Sequence, residues 1–128
     1  MIARFMRGNS GTIKIGEDTT FYANLYMVSE KSQINIGKDC MFSYYVKINV
    51  GSHRLLDRIE KDDVTNITPI EIGNHVWCGI NVTLLPRCLV EDGSVIGASA
   101  VVNKHISKNS TCAGNPVRAL RKDIEWSR

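Results

Sequence analysis

Apolar residues return every six positions through the second half of the chain, where Ile72, Cys78, Leu84, Val90, Ile96 and Val102 occupy one phase. The phase three residues later reads His75, Asn81, Arg87, Gly93, Ser99 and His105 and holds no large apolar residue, so the first phase predicts an interior and the second an exterior. Four residues after each interior position stand Val76, Val82, Cys88, Ser94, Ala100 and Ile106, most of them small or β-branched. Glycine recurs directly after it, at Gly73, Gly79 and Gly97. A helix repeats every three to four residues and a simple strand every two, so six in register fits neither alone. It predicts short strands of Val and Ile joined by regular turns, wound so that each coil bonds to the next, an all-β solenoid.

The first half keeps the rhythm with two interruptions. Ile15, Phe21 and Met27 are six apart, the phase slips by three before Ile36, and it resumes as Ile36, Phe42 and Ile48. From Ile48 to Ile72 is 24 residues, eighteen more than one repeat, which predicts an arm of about Gly51 to Pro69 looping out of a single domain spanning 1–128. The arm carries Ser52-His53-Arg54 and the charged run Asp57 to Asp63, and loops that leave a rigid scaffold tend to carry function.

Composition adds exclusions. With 128 residues, 43% hydrophobic and 23% charged, the chain fits one ordinary globular domain. Sixteen Lys and Arg against thirteen Asp and Glu give +3, too mild a surplus to predict a nucleic-acid or anionic-membrane partner. The longest stretch without these charges, Ile72 to Pro86, falls short of the roughly 18 apolar residues of a spanning helix. Arg4 interrupts the opening apolar run, which predicts no secretory leader and a cytoplasmic protein. Glycosylation-type triplets at Asn66, Asn81 and Asn109 then carry no weight. The four cysteines, Cys40, Cys78, Cys88 and Cys112, show no C-x-x-C spacing and read as small buried hydrophobes.

Ile72-Gly73-Asn74-His75-Val76-Trp77-Cys78-Gly79, Ile96-Gly97-Ala98-Ser99, Val102-Asn103-Lys104 and Ala113-Gly114-Asn115-Pro116-Val117-Arg118, in that order and spacing, resemble the hexapeptide-repeat acyltransferases. Phe21-Tyr22-Ala23-Asn24 and Gly51-Ser52-His53 resemble their galactoside and maltose O-acetyltransferase branch. The resemblance runs from about Ile13 to Arg121. It implies a left-handed parallel β-helix of about four coils with one looped-out arm and a short C-terminal tail, a homotrimer, and acetyl-CoA in the groove between neighbouring β-helices. It further implies His53 as catalytic base and Asn24 on the acceptor side. Trp77, Gly79, the backbone of Ile80, Ala98, Asn103 and Lys104 match the cofactor groove, and Arg118 and Arg121 match the basic pair beside the coenzyme's phosphates. His75 stands where Asn is commoner and Asn103 where Thr is usual. The sugar-binding N-terminal segment of that branch has no counterpart here, so the acceptor does not carry over.

The residues support this chemistry independently. An attacking hydroxyl must lose its proton, and a neutral imidazole near pH 7 is matched to taking it. Backbone N–H groups near the Gly79 turn are candidate donors to the tetrahedral oxyanion, and Lys104, Arg118 and Arg121 suit phosphate charges. The expected activity is transfer of acetyl from acetyl-CoA to a sugar hydroxyl, with no metal required. Alternatives on the same fold are N-acetylation of an amino sugar or an antibiotic, a non-catalytic solenoid in which His53 is a solvated loop residue, and a zinc carbonic anhydrase. The last needs clustered histidines, whereas His75 and His105 are 30 residues apart, not a whole number of 18-residue coils.

Overall fold

The computed structural model describes residues 3–7, 12–22, 25–29, 33–50 and 69–128, the strands at 3–7 and 25–29 by backbone alone. Among them there is no helix, and therefore none long and apolar enough to cross a membrane. Short strands follow one another around a three-sided prism. The first coil comprises β1 (Ala3–Arg7), β2 (Thr12–Ile15) and β3 (Thr20–Phe21), and the second β4 (Leu25–Ser29), β5 (Gln33–Ile36) and β6 (Met41–Phe42). The third holds β7 (Lys47–Asn49), β8 (Ile70–Ile72) and β9 (Trp77–Cys78), and the fourth β10 (Thr83–Leu84), β11 (Leu89–Val90) and β12 (Val95–Ile96). The fifth holds β13 (Val101–Val102), β14 (His105–Ile106) and β15 (Thr111–Ala113), after which β16 (Arg118–Arg121) turns back antiparallel on β15.

Three parallel sheets result, each taking every third strand: β1-β4-β7-β10-β13 (sheet A), β2-β5-β8-β11-β14 (sheet B) and β3-β6-β9-β12-β15 with β16 at its edge (sheet C). The described residues thus form five coils where about four were expected. The added coil begins at β1, before the repeat becomes legible, because Ala3 lies opposite Leu25, an offset of 22 that breaks the hexad phase.

The register confirms both predicted interruptions. Thr12 lies opposite Gln33, an offset of 21 that matches the slip of three. Ile34 faces Ile70, Met41 faces Trp77 and Thr83 faces Lys47, each an offset of 36, or two 18-residue coils. Eighteen residues are therefore accommodated between β7 and β8 without disturbing any sheet; the arm itself, at 51–68, lies outside the described residues.

Two positions of each hexad face inward. Ile72, Cys78, Leu84, Val90, Ile96 and Val102 are buried, and so are Val76, Val82, Cys88, Ser94, Ala100 and Ile106. The polar phase has a more specific role than exteriority: it makes the corners. His75, Asn81, Arg87 and Ser99 have φ of 53°, 61°, 78° and 62°, and Gly93 has 74°, so this residue turns the chain in the left-handed region that Asn, Asp and Gly tolerate best. His105 departs from the pattern. The fifth coil is two residues short, Leu89 pairing with His105 at an offset of 16, and His105 falls in a strand.

Corner glycines permit close stacking of coils. A Cβ on Gly37 would stand 2.5 Å from Gly73 O, in the backbone of the next coil. Gly37→Ala is expected to cost about 1–3 kcal/mol through forced separation of these coils. Urea midpoints should show that loss, against a change within about 0.5 kcal/mol for Lys38→Ala at the neighbouring exposed position.

Candidate active site

The corner that links sheet C to sheet A brings three predicted site residues together. Gly79 N–H donates to Ile96 O at 2.8 Å and Ser99 N–H to Ile80 O at 2.8 Å, so Gly79-Ile80 lies directly on Gly97-Ala98. A Cβ at Gly79 would come within 2.9 Å of Ala98 N, which explains glycine there. Because its N–H is already bonded to Ile96, Gly79 is not a free oxyanion donor. Ile80 N–H makes no backbone bond among the described residues, and the Ile80 side chain is exposed, as is Ala98.

Asn103 and Lys104 stand one side of the prism away, joined to Ala98 through β13, at the same corner as that between β7 and β8. Both are exposed. Lys104 and Lys122 line a cavity of about 100 Å³ with His105, Ser107 and Ser110. Arg118 pairs with Ala113 on β16, and Arg121 with Thr111. Thr111 pairs with Val95 and Val95 with Trp77, so Arg121 and Trp77 share one outward rank of sheet C, three strand steps apart. The described members of the predicted set therefore line two corners and the faces beside them. His53 and Asn24 lie outside the described residues.

Residues 122–128 form a strap that the sequence left as a charged tail. Ile124 N–H bonds Asn109 O in the fifth coil, and the chain then runs down the corner between sheets B and C. Trp126 stacks on His75 in the third coil, ring centroids 3.8 Å apart and 8° from parallel, and its indole N–H donates to His75 O at 2.9 Å. His75 Nδ1 lies 2.7 Å from Asp39 Oδ2 and Nε2 2.7 Å from Trp126 O, so the ring is held at both nitrogens. Arg128 then reaches the first two coils, donating to Asp39 Oδ1, Thr20 Oγ1, Asp18 O and Cys40 O. His75 and Arg128 hold the Asp39 carboxyl below its ordinary value, chiefly through their hydrogen bonds. Trp126 also flanks Trp77, at 5.9 Å and 43°. Only the presence of one of the chain's two tryptophans outside the repeat hinted at this strap.

All four cysteines are free and buried. Burial pushes the thiols up, Cys88 to about 12 and Cys112 to about 11, which removes them as nucleophiles near neutral pH. Among the described residues no cluster of three or more His, Cys, Asp or Glu suits a metal ion.

Two outcomes follow. Because folding lowers the Asp39 value, its contribution is full above the ordinary carboxylate range and fades as pH falls through the lowered value. The Trp126 indole resonance should hold its position from pH 7 to about 4 and shift toward free tryptophan below that. Asp39→Asn should release it already at pH 7. A disulfide reagent at pH 8 should find no reactive thiol in the folded protein and four after denaturation.

No family model matches the chain. It is 34% identical over 111 residues to the galactoside O-acetyltransferase of Escherichia coli K12, an alignment covering 86% of this chain and 54% of that enzyme. It superposes on the polySia-specific acetyltransferase NeuO with a TM-score of 0.87 and 32% identity, over 91% of this chain and 54% of the other. A galactoside acetyltransferase in complex with coenzyme A gives 0.71 and 28%, over 100% of this chain and 70% of the other. The chain spans about half the length of the curated relatives it matches. Five three-sided coils, hexad turns and these likenesses together show that the chain belongs to the hexapeptide-repeat acyltransferases and has their left-handed parallel β-helix.

Proposed function

We propose that the protein transfers an acetyl group from acetyl-CoA to a sugar hydroxyl, with His53 as general base and Asn24 on the acceptor side. The observation that carries the reading is the corner where Gly79-Ile80 lies on Ala98, with Asn103 and Lys104 one strand away and Arg118 and Arg121 exposed on β16. It offers an exposed apolar edge for pantetheine, an N–H without a backbone partner among the described residues at Ile80, and cations for the coenzyme's phosphates. A relative that spans the whole of this chain binds coenzyme A.

In the proposed reaction the acceptor hydroxyl attacks the thioester carbonyl while His53 takes its proton. The oxyanion is met by backbone N–H, that of Ile80 being the candidate. Collapse breaks the C–S bond, and the proton on His53 returns to the leaving thiolate. The inertness of all four thiols supports direct attack without an acyl-cysteine. We read the working form as a cytoplasmic homotrimer with the coenzyme between subunits. Four unpaired cysteines suit a reducing compartment, and a site spread over two corners of one chain suits completion by a neighbour.

Release of free CoA, measured against galactosides and sialic acid oligomers of graded length, the acceptor classes of the relatives, tests the reading. An acceptor from this panel should raise the rate, and His53→Ala should lower it by about 10²–10⁴-fold. His53→Ala activity within tenfold of the parent overturns the base, and a single-chain mass in light scattering overturns the trimer.

A further inference from the structure

Three tyrosines form an exposed fan on the same corner as Ile80 and Ala98. Tyr22 and Tyr44 stack with ring centroids 5.5 Å apart and 27° between planes, and Tyr45 follows at 6.5 Å and 44°. They are 43%, 47% and 52% exposed. Their place is fixed by the coil ladder: Tyr22 N–H donates to Phe42 O, and Asn81 N–H to Tyr44 O at 2.9 Å, which sets Tyr44 directly beside Ile80, itself 46% exposed. The strip therefore runs from the first coil to the third and ends where the candidate thioester site begins.

Nothing in the fold requires these rings. Most corner positions elsewhere hold Asp, Asn, Ser or Gly, whose short side chains tolerate positive φ, and the long exceptions are Arg87 and His75, the latter bonded to Asp39; Tyr45 also sits there with φ of 60°. The interior of these coils is filled by Phe42, Val46 and Ile48, and the tyrosines lie outside it. Among the described residues none of the three phenolic hydroxyls has a hydrogen-bond partner. Lys47 reaches this corner, where its ammonium donates to Asn81 Oδ1.

We propose that the Tyr22–Tyr44–Tyr45 strip is an extended glycan subsite, which holds sugar residues beside the one being acetylated and so selects polymeric over monomeric acceptors. The inference rests on the acetyltransferase reading above and deepens it. A pyranose offers an apolar C–H face ringed by hydroxyls, and a fanned set of phenols offers the complement, ring surface for the face and hydroxyls for the rim. Coils rise by about 4.8 Å, close to the length of one sugar ring, so a strip of rings over two coils, continued by Ile80 on the third, matches more than one sugar residue. Lys47 adds one cation, which favours a glycan bearing carboxylates.

The test uses the full chain and sialic acid oligomers of one to eight residues. Tyr44→Ala and Tyr45→Asn keep the backbone demands of the corner, Asn being at home at positive φ. In the double variant the kcat/KM for the octamer, relative to that for the monomer, should fall about tenfold with the KM for acetyl-CoA unmoved. Calorimetric binding of the octamer in the presence of CoA should weaken to the same degree, and Tyr45→Phe should restore part of it. Because binding is read without turnover, it judges the strip even where no CoA is released, an outcome that would instead count against the acetyltransferase reading. An unchanged length preference, no octamer binding to the parent protein, or a change of oligomeric mass in the double variant would each overturn the proposal, the last by making the strip a subunit interface.

Discussion

Each coil is stable only because the next one lies on it. The strands of coils three to five hold two or three residues, and apart from β15, on which β16 folds back, none bonds to its sequence neighbour within a sheet. Their N–H groups go up or down the axis instead: Gly16 to Ile36, Gly37 to Ile72, Gly73 to Val90, Glu91 to Ile106. Buried backbone groups left unpaired are costly, so every coil must present its bonding groups at the same height and angle as its neighbours. That constraint explains why interior positions repeat and why glycine appears where backbones nearly touch. It also explains why extra residues enter only at corners, where 18 of them leave the register of all three sheets intact.

A stack built this way has two open ends and three long corners, and the chain deals with both. β16 folds back along β15 and covers the open edge of sheet C, the usual answer to an exposed strand edge. Val117, buried at the end of the core, closes the interior there. The strap then ties coils together lengthwise, Asn109 in the fifth, His75 in the third, Asp39 in the second and Asp18 in the first. Nearest-neighbour stacking alone would let end coils fray independently. A segment bonded to four of the five coils couples them.

Legibility in the sequence tracked locality. The interior phase, the slip after Met27 and the eighteen extra residues after Ile48 were readable because stacking repeats the same demand at fixed intervals. Of the first coil β1 was not readable, since an offset of 22 carries no hexad signal, and neither was the shortening of the fifth coil that moves His105 into a strand. The strap was invisible for another reason: its side-chain hydrogen bonds join residues 51 to 110 apart and depend on side chains that meet once, with no period to betray them. Of the candidate site, Gly79, Ile80 and Ala98 came from the family resemblance and are adjacent in the fold. His53 and Asn24 came from the same resemblance and lie outside the described residues.

The three corners have taken on different tasks. The corner between sheets B and C carries the strap and is closed by it. The corner between A and B holds the eighteen added positions between β7 and β8 and bears Asn103 and Lys104. The corner between C and A is exposed where it is described, with tyrosines at one end and Ile80 and Ala98 further on. A linear acceptor and an extended coenzyme both need a track, and a solenoid corner is one, ruled at coil height. Because the corner residue points away from the core, its side chain is free to vary without changing the stack. Tyr44 and Tyr45 beside Ser43, and Ile80 and Asn81 beside Gly79, are two settings of the same structural position, which is how a fold this repetitive acquires a particular specificity.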